Sequence, residues 1–202
     1  MAASPRAASN SPACKLACAA ARARTAEAGP LDEFQRALVG LLRAQVTFAA
    51  GLWSDAPPLL LKAARRLESY DLDLARETYL TAWGAAGLAE DVAAREVLVE
   101  ICHAVRALSP LPGEPRPRDL LLDGFALLIT EGHAAATPTL QRAVLAVADI
   151  PVEDVLRWGW MTTGASAAVW DHEGWLASCT RQVQVVRLEP PRSSRRSRAW
   201  RR

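Results

Sequence analysis

Apolar side chains recur at three- and four-residue steps along most of the chain, a spacing that gathers them on one face of an α-helix. The first clear example begins near Leu31 and ends at Gly51, a residue type that commonly follows the last turn of a helix. Its predicted apolar face consists of Phe34, Leu38, Leu41, Leu42 and Phe48, with Gln45 at the same spacing. This segment is therefore predicted to be an amphipathic helix.

Helix-start and helix-stop residues divide the segments that follow. The Pro57–Pro58 pair suits a first helical turn, where a missing N–H costs nothing. Short polar residues that can accept a backbone hydrogen bond are good N-caps, and glycine is a common terminator. The predicted boundaries are N-caps at Ser54 or Asp55, at Asp71 or Asp73, and at Asp91, with a helix end at Gly84 or Gly87.

The stretch 110–117 contains four prolines and Gly113, so no helix is expected to pass through it. It is the best candidate for an internal boundary. Four further helices are predicted beyond it, which gives eight in all. Their predicted limits are Asp119 to Gly132, Thr137–Pro138 through Val147, Pro151 through Ala167, and Asp171 to Pro190–Pro191.

The chain also resembles itself at an offset of about 80 residues. The matching pairs are Leu41 with Leu121, Pro58 with Pro138, Leu60 with Leu140, and Ala63 with Ala143. Four helices in each such stretch give one helical hairpin per roughly 40 residues, near the tetratricopeptide and HEAT periods. Because a single hairpin cannot bury its apolar face, neighbours must stack. We predict an all-α fold of tetratricopeptide-like hairpins in a short superhelix, with a compact helical bundle as the alternative.

Composition agrees with helices, because the apolar half of the chain is mostly Ala and Leu, and Tyr and Phe are scarce. Four of the seven tryptophans lie between Trp158 and Trp175. A base-stacking platform is one interpretation of this cluster. Packing between helices is favoured, since each Trp buries a large area.

Charge is distributed unevenly along the chain. Residues 192–202 hold six Arg and no acid, and the rest of the chain carries a net charge of −4. A basic run can bind phosphate backbones without sequence preference, so a nucleic-acid-associated protein acting through this tail is the alternative function. Blocks of like charge are usually disordered. We therefore predict a disordered Arg-rich tail over 189–202 and expect no sequence-specific DNA binding.

No catalytic constellation is visible in the sequence. Phosphate-binding loops, dinucleotide-binding turns, zinc-protease motifs and nucleophile elbows are all missing. His103, His133 and His172 fall in different predicted segments, and the acid pairs Glu90–Asp91 and Glu153–Asp154 lie at helix starts, where the helix dipole explains them. An enzyme with an unrecognised helical site is the least favoured hypothesis. We predict a non-enzyme with no catalytic or cofactor-binding residue and no cofactor.

The four cysteines suggest neither a disulfide framework nor a metal site. Cys14 and Cys18 could in principle clip a metal, but no second pair of ligands follows, and Cys102 and Cys179 stand apart. No metal is therefore predicted, and a reduced cytoplasmic location fits best. No run of 18 apolar residues spans a membrane, and Lys15 interrupts the apolar core that a signal peptide needs. We expect a poorly ordered N-terminus over 1–28 and a repeat domain over 29–188.

Several uninterrupted blocks resemble, in order, the central region of large actinobacterial LuxR-type transcription regulators. The resemblance runs from about Ala26 to Val185. The blocks that carry it are residues 54–68, Leu74 to Leu80, Asp119 to Gly124, Thr130-Glu131-Gly132, Leu156 to Trp160, and Thr180-Arg181-Gln182-Val183.

The resemblance implies a tetratricopeptide-like array that senses or relays signals between an ATPase domain and a helix-turn-helix domain. It carries over no catalytic residue. Neither flanking domain is recognisable in this chain, so we expect a truncated or frameshifted gene product that acts through protein contacts. Apolar repeat faces without neighbours predict a protein partner or self-association.

Overall fold

The computed structural model describes residues 18, 21, 30–89 and 91–188, and all regular structure within 30–188 is helical. The all-α prediction is therefore confirmed. The predicted N-terminal segment 1–28, apart from two isolated residues, and the Arg-rich tail 189–202 lie outside the described residues. The helices are α1 Glu33–Ala49, α2 Ala56–Leu67, α3 Leu72–Leu88, α4 Val92–Ala107, α5 Pro117–Thr130, α6 His133–Leu145, a 3-10 helix Ala146–Asp149, α7 Val152–Arg157, α8 Met161–Ala168 and α9 His172–Leu188.

Aspartate N-caps fix the starts of four helices. Asp71, Asp91 and Asp171 each accept a hydrogen bond from the backbone N–H three residues ahead, at 2.9, 2.6 and 2.9 Å. All three starts were predicted. The cap of α1 was not, although Asp32 and Gln35 form a reciprocal capping box in which side chain bonds backbone in both directions.

Three predicted boundaries are wrong by about one turn. Helix α3 continues through Gly84 and Gly87 to Leu88, because a helical glycine costs only about 0.5–1 kcal/mol and the neighbouring alanines favour the helix. Helix α5 begins at Pro117, not Asp119, and Pro117 occupies the first helical position. Helix α6 begins at His133, ahead of Pro138.

Pro138 lies inside α6, which the prediction of a start at Thr137–Pro138 missed. Three alanines follow His133, and this strongly helix-forming run extends the helix toward its N-terminus. The Thr137 hydroxyl donates to the His133 carbonyl at 2.8 Å. Local propensity therefore outweighs the single hydrogen bond that proline removes.

The single helix predicted from Pro151 to Ala167 is two helices, α7 and α8. The break contains Gly159, where an added Cβ would lie 2.7 Å from both the Cα and the carbonyl oxygen of Val155. Only glycine allows the backbone to come this close. The described part of the chain thus contains nine α-helices where eight were predicted.

Two compact units divide the chain between Leu111 and Pro112, inside the predicted proline-rich break. In unit 1 (α1–α4), successive helices pack antiparallel to one another. Its largest fully buried side chains are Leu60, Leu67, Tyr79, Leu80 and Ile101. In unit 2 (α5–α9), helices α5 and α6 form the tightest hairpin, and α8 and α9 pack around it. Its core contains Leu121, Leu122, Phe125, Leu140 and Ile150.

The internal repeat predicted from the sequence reappears in the helix boundaries. Leu72 and Leu88 bound α3, and positions 80 residues later, Val152 and Ala168, bound the α7–α8 pair. Helix α4 starts at Val92 and α9 starts 80 residues later. The two units are therefore equivalent four-element repeats, with α9 as the counterpart of α4.

Trp170 occupies a backbone position that normally belongs to glycine. After α1, the N–H groups of Gly51 and Leu52 bond back to helix carbonyls at 3.0 and 3.3 Å, and Gly51 has φ 77°. After α8, Trp170 and Asp171 make the same two bonds at 3.2 and 2.9 Å, and Trp170 has φ 57°. The side chain of Trp170 is 89% exposed.

We expect Trp170→Gly to stabilise the protein by about 0.5–1 kcal/mol, because it relieves the left-handed strain of a residue with a Cβ atom. Trp170→Ala is the matched control, since it removes the ring and keeps the strain. Urea denaturation of both variants measures the difference. A glycine variant no more stable than the alanine variant would contradict this account.

Candidate interaction surface

Helix α9 turns an apolar face outward. Its buried face includes Ser178 and Val185, which are 1% and 0% exposed. On the opposite face the side chains of Leu176, Val183 and Val186 are 47%, 48% and 61% exposed, and Cys179 between them is partly exposed. We call Leu176, Cys179, Val183 and Val186 the α9 stripe. Exposed apolar side chains grouped on one helix are typical of a surface that binds protein.

The fold itself does not require this stripe. In unit 1 the equivalent positions, 80 residues earlier, are Glu96, Val99, His103 and Arg106. They are also exposed, and three of the four are polar or charged. Since α4 occupies its repeat with a polar outer face, the apolar face of α9 has a cause other than folding.

A groove of about 590 Å³ runs beside the stripe in unit 2. Apolar side chains from the end of α6 form one wall, and α9 forms the other with Leu176, Ala177 and Thr180. Leu145 at its rim is 80% exposed. The groove and the stripe share Leu176, so they form one continuous surface.

Unit 1 closes the equivalent position with an ion pair. Leu145 and Thr180 correspond to Arg65 and Glu100, whose guanidinium and carboxylate groups lie 2.8 Å apart. Both side chains are about half exposed, so the pair adds little stability but covers the surface with charge. The open apolar groove is therefore a feature of unit 2 and not of the repeat.

The four clustered tryptophans do not share one role. Trp158 is 5% exposed and packs in unit 2, as predicted. The packing prediction is wrong for Trp170, and Trp175 is 42% exposed. Both of these rings line a small hollow of about 220 Å³ next to the start of α9. Their exposure follows from the turn after α8, which no hydrophobic pattern reveals.

The structure does not bring the candidate histidines together. His103 lies in α4, His133 begins α6 and His172 begins α9, and all three are exposed. Glu153 and Asp154 lie in the first turn of α7, where the helix dipole favours them. Hydrogen bonds from Ser54 and then from the Ala94 N–H lower the pKa of the exposed Asp91, consistent with its capping role. Glu90 lies outside the described residues.

The cysteines are equally dispersed. Cys18 is exposed, Cys102 is buried in α4 and Cys179 lies on the α9 stripe, whereas Cys14 is outside the described residues. Burial raises the pKa of the Cys102 thiol to about 11, partly opposed by a hydrogen bond with Trp83. In the described part of the chain, no group of three or more His, Cys, Asp or Glu side chains could hold a metal ion.

The buried Cys102 thiol is expected to react at least about 100-fold more slowly with iodoacetamide at pH 8 than the Cys179 thiol, since only the thiolate attacks. Labelling followed by peptide mass spectrometry measures both rates in one sample. Addition of urea should equalise them as the protein unfolds. Equal rates in the native protein would show that Cys102 is not held in the core.

None of the helices described is both long enough and apolar enough to cross a membrane. Comparison of the chain with models of known protein families, with curated proteins and with solved structures finds no match.

Proposed function

We propose that this chain is a non-catalytic, tetratricopeptide-like interaction module, of the kind that relays signals in LuxR-type transcription regulators, and that the α9 surface makes the contact. The α9 surface comprises the α9 stripe and the adjoining groove. One observation carries the proposal: equivalent positions in two copies of one repeat are polar in unit 1 and apolar in unit 2.

Energetics support a contact at this surface. Burial of apolar area contributes about 25 cal/mol per Å², so several exposed Leu and Val side chains side by side favour association. The groove and the stripe together offer a shape that a helix can enter, as amphipathic helices do in other grooves. The dispersed histidines, acids and cysteines offer no convergent chemical site that would suggest catalysis.

Sedimentation equilibrium of the full chain tests the proposal. We expect the weight-average mass to rise above the 21.8 kDa of one chain between about 1 and 200 µM, because the surface has no cover in a monomer. A mass that stays at one chain over this range would overturn the proposal.

The repeat supplies a matched control variant. The triple substitution Leu176→Glu, Val183→His and Val186→Arg transfers the outer residues of α4 to α9, where the same fold already accommodates them. We expect this variant to keep the circular dichroism spectrum and melting temperature of the parent and to remain monomeric. Undiminished association in the folded variant would place the contact elsewhere and contradict the proposal.

A further inference from the structure

The α9 stripe has the spacing of a coiled-coil seam. Its members are separated by three, four and three residues, the a-d-a-d spacing at which two helices interlock. All of α9 is a continuous 17-residue helix, about 25 Å long. Such a seam is most simply covered by another helix that carries the same seam.

The charges that flank the stripe specify the direction of that helix. Glu173 and Arg187 occupy equivalent e positions at opposite ends of the seam, and both are exposed. In unit 1 both equivalent positions, Ala93 and Ala107, are alanine. The pair of opposite charges therefore accompanies the apolar stripe and is missing where the stripe is missing.

We infer that α9 pairs antiparallel with α9 of a second copy of this chain, through the α9 stripe and two reciprocal Glu173–Arg187 ion pairs. This inference rests on the proposed function and names its partner. With a two-fold axis near residue 181, Leu176 faces Val186 of the second copy and Cys179 faces Val183. The same axis sets each Glu173 beside the Arg187 of the other copy.

A parallel pair would not use these charges. It would leave Glu173 of each chain at the same end, far from Arg187 of its partner. It would also place Cys179 against Cys179. The positions of opposite charge at the two ends of one seam thus favour the antiparallel arrangement, because e and g charges set the orientation of paired helices.

The expected dimer is weak. Two short helices bury less than the roughly 1,200 Å² typical of stable complexes. We therefore expect a dissociation constant on the order of 10–100 µM. Two ion pairs in one small interface still make a measurable contribution to this affinity.

Charge reversal in the full chain tests the orientation. Glu173→Arg or Arg187→Glu alone should weaken dimerisation about tenfold, because each reversal places like charges together at both ends of the seam. The double variant Glu173→Arg with Arg187→Glu should recover the parent affinity to within about twofold. Sedimentation equilibrium at low salt measures all four proteins, and circular dichroism checks that each is folded.

A cysteine introduced by Val183→Cys tests the register directly. Under mild oxidation we expect disulfides between the introduced thiol and Cys179 of the second copy, identified by peptide mass spectrometry. Addition of Cys179→Ser should abolish this cross-link. His103→Cys, at the equivalent position on the polar face of α4, should give no specific cross-link between copies.

The outcomes separate this inference from the proposed function. Cross-links that join identical positions, or a double charge variant as weak as the single ones, would overturn antiparallel pairing. If the α4-like triple variant still abolished association in that case, the α9 surface would remain the interaction surface. Association unaffected by the triple variant would overturn both.

Discussion

Tyr79→Ala is expected to lower the free energy of unfolding by about 3–5 kcal/mol, the largest loss expected from a single side chain in unit 1. Tyr79 is 0% exposed and lies among the core side chains of α2 and α3. Its removal leaves a cavity lined by Leu and Ala that the rigid helix pairs cannot fill. Urea denaturation followed by circular dichroism measures the loss.

Tyr79→Phe isolates the hydroxyl group, which donates a hydrogen bond to the Glu68 carboxylate. We expect this variant to lose only about 1 kcal/mol, because the ring still fills the core. Burial and the bond to Glu68 raise the pKa of Tyr79. The parent should therefore lose stability as the pH rises above about 10, where the unfolded phenol ionises first, and the Phe variant should lack that component. A Phe variant as unstable as the Ala variant would contradict the packing argument.

Gly124→Ala is expected to destabilise the protein by about 1–3 kcal/mol through overpacking of unit 2. An added Cβ at Gly124 would lie 2.5 Å from Cδ2 and 2.8 Å from Cγ of Leu140. Leu140 is itself 1% exposed, so it has no free space to move into. Helices α5 and α6 must therefore separate to accept the methyl group. Thermal unfolding of the purified variant measures the effect.

Gly40→Ala provides the control of opposite sign. Gly40 also lies inside a helix, but no atom of the described neighbours lies within 4 Å of a Cβ placed there. The alanine should stabilise α1 by about 0.5–1 kcal/mol, because glycine costs that much in a helix. If Gly124→Ala were as favourable as Gly40→Ala, the α5–α6 hairpin would not be as close as the structure has it.

Local chemistry that the sequence states openly led to correct predictions. Asp71, Asp91 and Asp171 cap helices because a short carboxylate three residues before a free N–H needs no tertiary contact to act. Gly51 and Gly132 follow helices in left-handed conformations for an equally local reason. The repeat offset also transferred faithfully to the helix boundaries, since equivalent hairpins bury equivalent faces.

Predictions failed where tertiary contacts decide the outcome. Gly159 splits a helix because Val155 passes close to it, a distance that no pattern encodes. Trp170 takes a position normally held by glycine, and its ring remains exposed against its hydrophobicity. In α9 the apolar line was visible, but small Ser178 and Val185 occupy the buried face, which left the line facing outward. The interaction surface emerged only when the two units were compared position by position.

Hydrogen exchange at two protein concentrations tests the central claim most directly, namely that the chain works through the outward face of α9. Between about 5 and 200 µM, we expect exchange to slow in α9, because association protects that helix, and to stay unchanged in the equivalent helix α4. Peptide-resolved mass spectrometry reads both helices in one experiment. Exchange in α9 that does not depend on concentration, or that changes equally in α4, would contradict the account.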